Sequence, residues 1–315
     1  VSIQPRTAVV IRNPRARGAP TEAVLLREVL DHLVSVGWGV DIQTTQRTGH
    51  ATELALKAAR AGVEVVVACG GDGTVNEVAN GLVGTDAAMA VLPAGTANVW
   101  AREAGVSLDI GGAARLIPVA RKVRIDLGRI RSGEHLDRRF LLMCGVGMDA
   151  EAVRVLHENS RAKRWFGMGT YVGVGAWVMM RFRTVEARID IDDVTLEGPL
   201  LQLIAGNTRL YGGVTRLTAG ARADDGLLDA CTFSGGGLGH RAMMAMRAVR
   251  GGLDARAGGG IDYVRGARLR VETEWPLPVQ IDGEYLCETP VRIEVDPQAV
   301  NVLIAPEPNV LLTRG

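Results

Sequence analysis

Hydrophobic and polar positions change their rhythm once along the chain. In the first 127 residues, short β-branched apolar runs alternate with segments whose apolar residues recur three and four apart. The runs Ala8–Ile11, Val40–Thr44, Val63–Ala68, Ala88–Leu92 and Val123–Leu127 predict buried strands. Thr21–Val36, Gly49–Ala61, Val75–Leu82, Asn98–Ala104 and Ile110–Leu116 predict helices. Such alternation implies an α/β domain around a mostly parallel sheet.

After Asp126, strand patterns dominate: Phe140–Cys144, Thr184–Ile191, Pro199–Ala205, Leu227–Phe233, Ala267–Glu272, Val279–Ile281 and Val291–Val295. Helical patterns are fewer, at Ala150–Glu158, Gly169–Arg181 and Gly239–Arg250. This predicts a β-rich, antiparallel, sandwich-like second domain. No internal repeat is present.

The chemistry concentrates at two corners. The strand pattern over Val63–Ala68 runs into Gly70-Gly71-Asp72-Gly73-Thr74, and a helical pattern follows at once. Glycines at a strand-to-helix corner let the backbone fold tightly and turn its N–H groups outward. The helix adds the positive end of its dipole. A phosphate fits there, and Asp72 in its midst suggests a hydrated Mg²⁺. The same residues can form a plain tight turn. They make neither a Walker A loop, since no Gly-Lys-Ser/Thr follows, nor a dinucleotide fingerprint, since the third glycine is missing.

A second corner, Pro93-Ala-Gly95-Thr96-Ala-Asn98, follows the next strand pattern. Open α/β sheets bind ligands at the carboxyl ends of their strands. Two small-residue corners there can clasp one polyphosphate from two sides. Thr74, Asn76, Thr96 and Asn98 can donate to phosphate oxygens or cap the helices that follow, two compatible roles.

Composition narrows the class. The 315 residues are 47% hydrophobic and 23% charged, with a net charge of +1, which gives no electrostatic footprint for nucleic acid. Cys69, Cys144, Cys231 and Cys287 are scattered, against zinc and against a disulfide scaffold. No run of 18 apolar residues suggests a spanning helix, and no signal peptide is visible. The expected place is the cytoplasm, or the periphery of the inner membrane surface.

Gly70-Gly-Asp-Gly-Thr-Val-Asn-Glu77, followed by Pro93-Ala-Gly-Thr-Ala-Asn98 with Ala101-Arg102, resembles the diacylglycerol-kinase catalytic family, in its branch of bacterial soluble lipid kinases. The first motif alone is shared with NAD kinases; the second narrows the match. Ile11-Arg-Asn-Pro-Arg-Ala-Arg-Gly18, Asp224-Asp-Gly-Leu-Leu-Asp229 and Gln280-Ile-Asp-Gly-Glu284 extend the resemblance across residues 7 to 284.

The resemblance implies an ATP-dependent, Mg²⁺-requiring lipid kinase. It implies a nucleotide domain over 1–127 with a return of 297–315, through a last strand at Ala299–Ile304. A lipid-substrate domain spans 128–296, and the site lies in the cleft between the two. ATP is expected against Asn13, Pro14, Thr45, Gly70, Gly71, Asp72, Gly73, Thr74, Val75, Asn76, Gly95, Thr96 and Asn98. A separate structural Mg²⁺ is expected at Asp225 and the backbone carbonyls of Arg222 and Leu227.

Phosphoryl transfer to an alcohol needs a carboxylate near the hydroxyl. The resemblance makes Glu284 the proton acceptor, with Asp282 beside the metal; Asp282-Gly283 alone can also be a hairpin turn. Asp229 can supply a surface charge. Gly145-Val-Gly-Met-Asp-Ala150 matches a dinucleotide pattern but lacks the surrounding βαβ unit, so packing or cleft lining is expected of it. Arg154, Arg161, Lys163, Arg164, Arg181 and Arg183, interleaved with Trp165, Phe166, Tyr171 and Trp177, suit an anionic membrane surface or a helix pair with a solvated basic face. An NAD-kinase-like enzyme and a non-catalytic nucleotide or lipid sensor are the alternatives.

Overall fold

The computed structural model describes residues 6–158, 174–175, 177–213, 215–250, 259–306 and 309–313. The chain forms two compact units. One holds Val1–Leu127, Ala223–Asp225 and Pro297–Gly315; the other holds Gly128–Arg222 and Gly226–Asp296.

The first unit is a parallel sheet. Its strands are β1 (Thr7–Arg12), β2 (Gly39–Thr44), β3 (Val65–Gly70) and β4 (Ala88–Pro93), in the order β2-β1-β3-β4. β3 and β4 are buried at every position, as expected of central strands covered on both faces. The chain moves outward from β1 to β2, then returns to β3 on the other side of β1. Loops after β1 and β3 therefore diverge, which opens a crevice at the carboxyl edge.

Helices α3 (His50–Arg60) and α4 (Asp72–Leu82) follow β2 and β3, and α5 (Val99–Glu103) and α6 (Ile110–Leu116) follow β4. A Cβ on Gly81 of α4 would lie 2.4 Å from the Thr52 carbonyl of α3, so glycine sets the closeness of that helix pair. The helix expected over Thr21–Val36 is broken into α1 (Glu22–Leu25), a π-helical stretch (Leu26–Leu30) and α2 (Asp31–Ser35).

The second unit is antiparallel. Its strands are β6 (Leu136–Phe140), β7 (Met143–Gly147), β8 (Val185–Ile191), β9 (Val194–Gly206), β12 (Leu228–Ser234), β13 (Ile261–Gly266), β14 (Arg268–Thr273), β15 (Pro278–Ile281) and β16 (Glu284–Glu288), with the short pair β10 (Leu210–Tyr211) and β11 (Thr215–Arg216). One path runs β16-β15-β7-β9-β8-β14, and β12 and β13 attach beside β9. Leu203, Val271, Val279 and Ile293 lie in its core. Helices α7 (Met148–Glu158) and α8 (Leu238–Arg250) accompany the strands.

Two strands serve both units. β5 (Arg121–Ser132) forms a hairpin with β6 from Gly128 onward. The last two expected strands are one strand, β17 (Val291–Ile304). Its first half pairs with β14 and its second half, in parallel, with β4. Pro297 lies within this strand. The strand continues because Gln298 takes a left-handed φ of 50° and its amide donates to the buried Asp126 carboxylate at 2.7 Å.

The expected strand Phe140–Cys144 is two strands with a loop at 141–142. β6 and β13 were not anticipated, because polar residues interrupt their alternation. Of the helix expected over Gly169–Arg181, residues 174–175 and 177–181 are described and are helical; Arg161, Lys163, Arg164, Trp165, Phe166 and Tyr171 lie outside the described residues. Among the described residues, no helix is long and apolar enough to cross a membrane.

Gly128 of β5 stands opposite Phe140 of β6, whose ring fills the space a side chain would take; a Cβ there would sit 2.0 Å from a ring carbon. Phe140 is fully buried. Gly128→Ala should therefore destabilise the protein by about 1–3 kcal/mol, the usual cost of overpacking. Chemical denaturation of Gly128→Ala, Phe140→Leu and the double variant checks this. The alanine should cost less once the ring is gone; equal costs in both backgrounds would refute the contact.

Candidate functional site

The crevice of the first unit gathers three loops. After β1, the Asn13 amide donates to the Cys69 carbonyl at 2.9 Å, and its side-chain Nδ2 donates to Thr74 Oγ1 at 3.0 Å. This bond bridges the divergent loops of β1 and β3. Asn13 Oδ1 accepts the Arg15 amide at 2.9 Å and so shapes its own turn, while Pro14 is exposed. Further on, the Gly18 amide donates to the Ala94 carbonyl at 2.9 Å, which ties this loop to the corner after β4.

The two glycine corners touch. A Cβ on Gly95 would lie 2.5 Å from the Gly71 Cα, and one on Gly71 would lie 3.2 Å from the Gly95 Cα. Gly71 has φ −89° and ψ −177°, an extended conformation open to any residue. Its glycine is required by the close approach, not by the backbone angles. The Ala94 amide also donates to the Gly70 carbonyl at 2.9 Å. Gly70 lies over Thr74, where a Cβ would be 2.5 Å from the hydroxyl.

Asp72 opens α4, and its Oδ1 accepts the Trp100 amide of α5 at 3.2 Å. A carboxylate at the start of one helix thus serves the first turn of another. Burial pushes the Asp72 carboxyl above its ordinary value, although the Trp100 and Val99 amides pull the other way. An oxygen ligand of this kind fits a hard divalent cation.

Several side chains do other work than expected. Thr74 and Asn76 do not cap α4: they are only 6% and 8% exposed, and their oxygens accept from Asn13 and from Asn80 at 2.7 Å. Val75 is buried and its amide donates to the Gly71 carbonyl at 3.1 Å. Asn98, at the start of α5, has a left-handed φ of 47° and makes no cap bond. Its side chain closes on Gly95 instead, accepting that amide at 2.8 Å and donating to its carbonyl at 3.0 Å. Thr96 is exposed at the tip of this turn. Thr45 follows β2 at the same carboxyl edge, with its amide on the Arg12 carbonyl at 2.9 Å.

One structural role escaped the sequence. The Glu77 carboxylate accepts the Gly49 and Ala51 amides at 2.9 and 3.0 Å and so caps α3 from α4. The one available signal was that no Ser, Thr, Asp or Asn stands at the Gly49-His50 start.

In the second unit, Asp282-Gly283 is the two-residue turn between β15 and β16. Both residues have positive φ, 47° and 84°, as a type I′ hairpin needs. The Asp282 carboxylate accepts the Leu141, Leu142 and Met143 amides at 2.8, 2.9 and 2.9 Å. Its oxygens are therefore engaged in holding the loop between β6 and β7. Glu284 begins β16 and is exposed. Asp229 is not a surface charge. It is fully buried, with the Tyr263 hydroxyl at 2.5 Å and Arg265 Nε at 3.2 Å.

The segment Arg222–Leu227 turns at Gly226, φ 74°, just before β12. Asp224 accepts the Thr313 amide and hydroxyl at 2.7 and 2.9 Å; the expected acidic ligand is its neighbour Asp225. Among the described residues, no three His, Cys, Asp or Glu side chains cluster. A cation here needs backbone carbonyls such as those of Arg222 and Leu227, and such oxygen donors suit Mg²⁺ or Ca²⁺.

The glycine contact can be tested directly. Gly95→Ala should destabilise the protein by about 1–3 kcal/mol, because backbone on both sides must move. Gly71→Ala, with 3.2 Å of clearance, should cost less. Differential scanning calorimetry of both variants measures the order; an inverted order would mean that the corners do not pack as described.

Comparisons with known proteins accord with this geometry. The diacylglycerol kinase catalytic domain matches residues 7–130, and the YegS C-terminal NAD kinase beta sandwich-like domain matches residues 143–304. A probable lipid kinase YegS-like protein of Pseudomonas putida is 33% identical over 289 residues, covering 88% of this chain and 89% of its own. A diacylglycerol kinase of Bacillus subtilis is 28% identical over 283 residues, covering 89% and 90%. The crystal structure of a putative diacylglycerol kinase from Bacillus anthracis superposes with a TM-score of 0.77 over 96% of this chain and 97% of that one; at 24% identity it speaks for the fold alone. The chain belongs to the diacylglycerol kinase family of lipid kinases, combining that family's catalytic domain with the YegS-type C-terminal domain.

Proposed function

We propose that the protein transfers the γ-phosphoryl group of ATP to a hydroxyl of a lipid such as diacylglycerol, at a membrane surface. The observation that carries this reading is the backbone contact of Gly71 with Gly95. It joins two amide-bearing corners at the carboxyl edge of a parallel sheet, with Asp72 braced between their helices. Phosphoryl transfer is achieved chiefly by positioning and charge neutralisation, which is what such a cradle supplies.

The corner glycines Gly70, Gly71, Gly73 and Gly95 let backbone approach the phosphates, with Thr96 at the rim. Asn13, Pro14 and Thr45 border the nucleotide, and Thr74, Val75, Asn76 and Asn98 hold the corners in shape. Asp72 holds hydrated Mg²⁺, which when bound neutralises phosphate charge. Asp225 with the Arg222 and Leu227 carbonyls holds a second, structural Mg²⁺. Glu284 accepts the proton of the lipid hydroxyl. Asp282 fixes the turn that carries Glu284, since its oxygens are engaged with three amides. Incubation of the protein with radiolabelled ATP and a total lipid extract, with NAD as a comparison acceptor, tests the reading. Label in NAD and not in lipid would overturn it.

Asp72→Asn should separate function from stability. Asparagine keeps an acceptor for the Trp100 amide but carries no charge. Phosphotransfer should fall by about 10²-fold or more, the size of a lost electrostatic contribution. The metal-free variant should melt higher at neutral pH. A carboxyl pKa raised on folding means that ionisation costs the folded state stability above the raised value. That cost, and so the gain from asparagine, should fade as the pH falls toward the unfolded value of 3.8. Undiminished turnover at saturating ATP and Mg²⁺ would remove Asp72 from the site.

Glu284→Gln keeps shape but cannot accept the proton at neutral pH. Turnover should drop by ~10²- to 10⁴-fold, the span of general acid–base catalysis, with affinity for a non-hydrolysable ATP analogue unchanged. Steady-state kinetics with calorimetric titration checks this, and full activity would dismiss Glu284 as the base.

A further inference from the structure

Behind the turn that bears Glu284 lies a buried polar relay with no role in the chemistry described so far. Asp149 sits in the first turn of α7 and is 5% exposed; Gln280 of β15 is 3% exposed. Gln280 Nε2 donates to Asp149 Oδ2 at 3.0 Å. Its other end, Oε1, accepts the Gly283 amide at 2.8 Å. Gly283 is the second residue of the two-residue turn, and Glu284 is the next. One carboxamide thus connects a buried carboxylate to the Asp282–Gly283 peptide, one residue before Glu284.

The arrangement is built into the sheet. Gln280 stands opposite Gly145 of β7. A Cβ on Gly145 would lie 2.1 Å from Asp149 Oδ2 and 2.6 Å from Gln280 Nε2, so the missing side chain is the space the pair occupies. Tyr211 acts on the same carboxyl, pulling its pKa down against the larger effect of burial. Asp149 also decides which way the carboxamide points: a carboxylate accepts only, so the NH₂ end must face it and the oxygen must face Gly283.

An Asp-Gly pair forms a type I′ turn without such help. Burial meanwhile pushes the Asp149 carboxyl up to about 6, so keeping an acid there opposes folding near neutral pH. A costly group that orients one peptide points to positioning rather than stability.

We propose that Asp149 and Gln280 are positioning residues that aim Glu284 by fixing the Gly283 peptide. The proposal rests on the reading of Glu284 as the proton acceptor. With Asp282 holding the turn from the loop before β7, and Gln280 holding it from behind, the backbone of Glu284 is fixed on two sides while its carboxylate stays exposed.

The test is a double-mutant cycle on the full chain, with lipid phosphorylation and binding of a non-hydrolysable ATP analogue as readouts. Gln280→Met keeps the volume and removes both hydrogen bonds. The expected result is a kcat loss of about 10- to 10²-fold, the order produced by small misplacement of a reacting group. KM for ATP and analogue affinity should not change. In a Glu284→Gln background, Gln280→Met should cause no further loss, because residues acting through one another are not additive. Asp149→Asn, which retains an acceptor oxygen, should keep most of the rate, whereas Asp149→Leu should behave like Gln280→Met.

If Gln280→Met fails to fold, Gln280→Leu replaces it: it too removes both hydrogen bonds, and the same kinetic signature is expected. Full kcat in either folded Gln280 variant overturns the proposal. So do losses that multiply in the double variant, or a Gln280→Met loss matched by weaker ATP binding. An active Glu284→Gln enzyme overturns the underlying reading itself. An inactive Glu284→Gln beside a fully active Gln280→Met overturns the positioning role alone.

Discussion

The contact between Gly71 and Gly95 is the constraint on which the first unit's chemistry depends. Neighbouring parallel strands lie about 4.8 Å apart, and the loops that leave them normally diverge under their side chains. Here both loops give up side chains at one point and meet through backbone. The meeting sets where α4 and α5 begin, and brings the carboxylate of one helix to the amides of the other. Asn13, Thr74 and Gly18 add lateral ties. The result is a rigid rim of peptide groups that no single motif contains.

Four carboxylates show how environment divides labour among chemically similar groups. Asp282 is neutralised by three amides and belongs to the architecture. Asp229, buried completely, is matched by a phenol and a guanidinium. Glu77 serves a helix terminus. Asp72 has partners too, yet burial still outweighs them and holds its carboxyl above its ordinary value. Near-identical side chains thus range from structural fixture to reactive candidate according to how far their charge has been met.

The fold was legible where local pattern decides it. β1 to β4 and the helices between them lie close to where the hydrophobic rhythm puts them, because strands covered on both faces are continuous apolar runs. Elements governed by distant partners were harder to see. β6, Leu-Asp-Arg-Arg-Phe, is polar outside its pairing with β5, and β17 crosses a proline because Asp126 supplies an acceptor from another strand. The site behaves the same way. Its glycines stood out because a corner needs them locally. The service of Asp72 to Trp100, of Glu77 to Gly49, and of Asn98 to its own turn depends on which loops meet, and no spacing along the chain records that.

The path of β17 has a consequence for the order in which the protein can be made. The sheet of the first unit takes a parallel strand from Asn301–Val302 beside β4. Everything else in that sheet has been synthesised by residue 93. At the usual ~5–20 residues per second, the ribosome needs on the order of ten seconds or more to deliver the missing strand. Throughout that interval β4, which is buried at every position in the finished molecule, presents an open apolar edge of the kind that recruits other strands. The unit that begins first is therefore among the last to close, and a nascent chain halted before residue 299 leaves the edge of β4 uncovered.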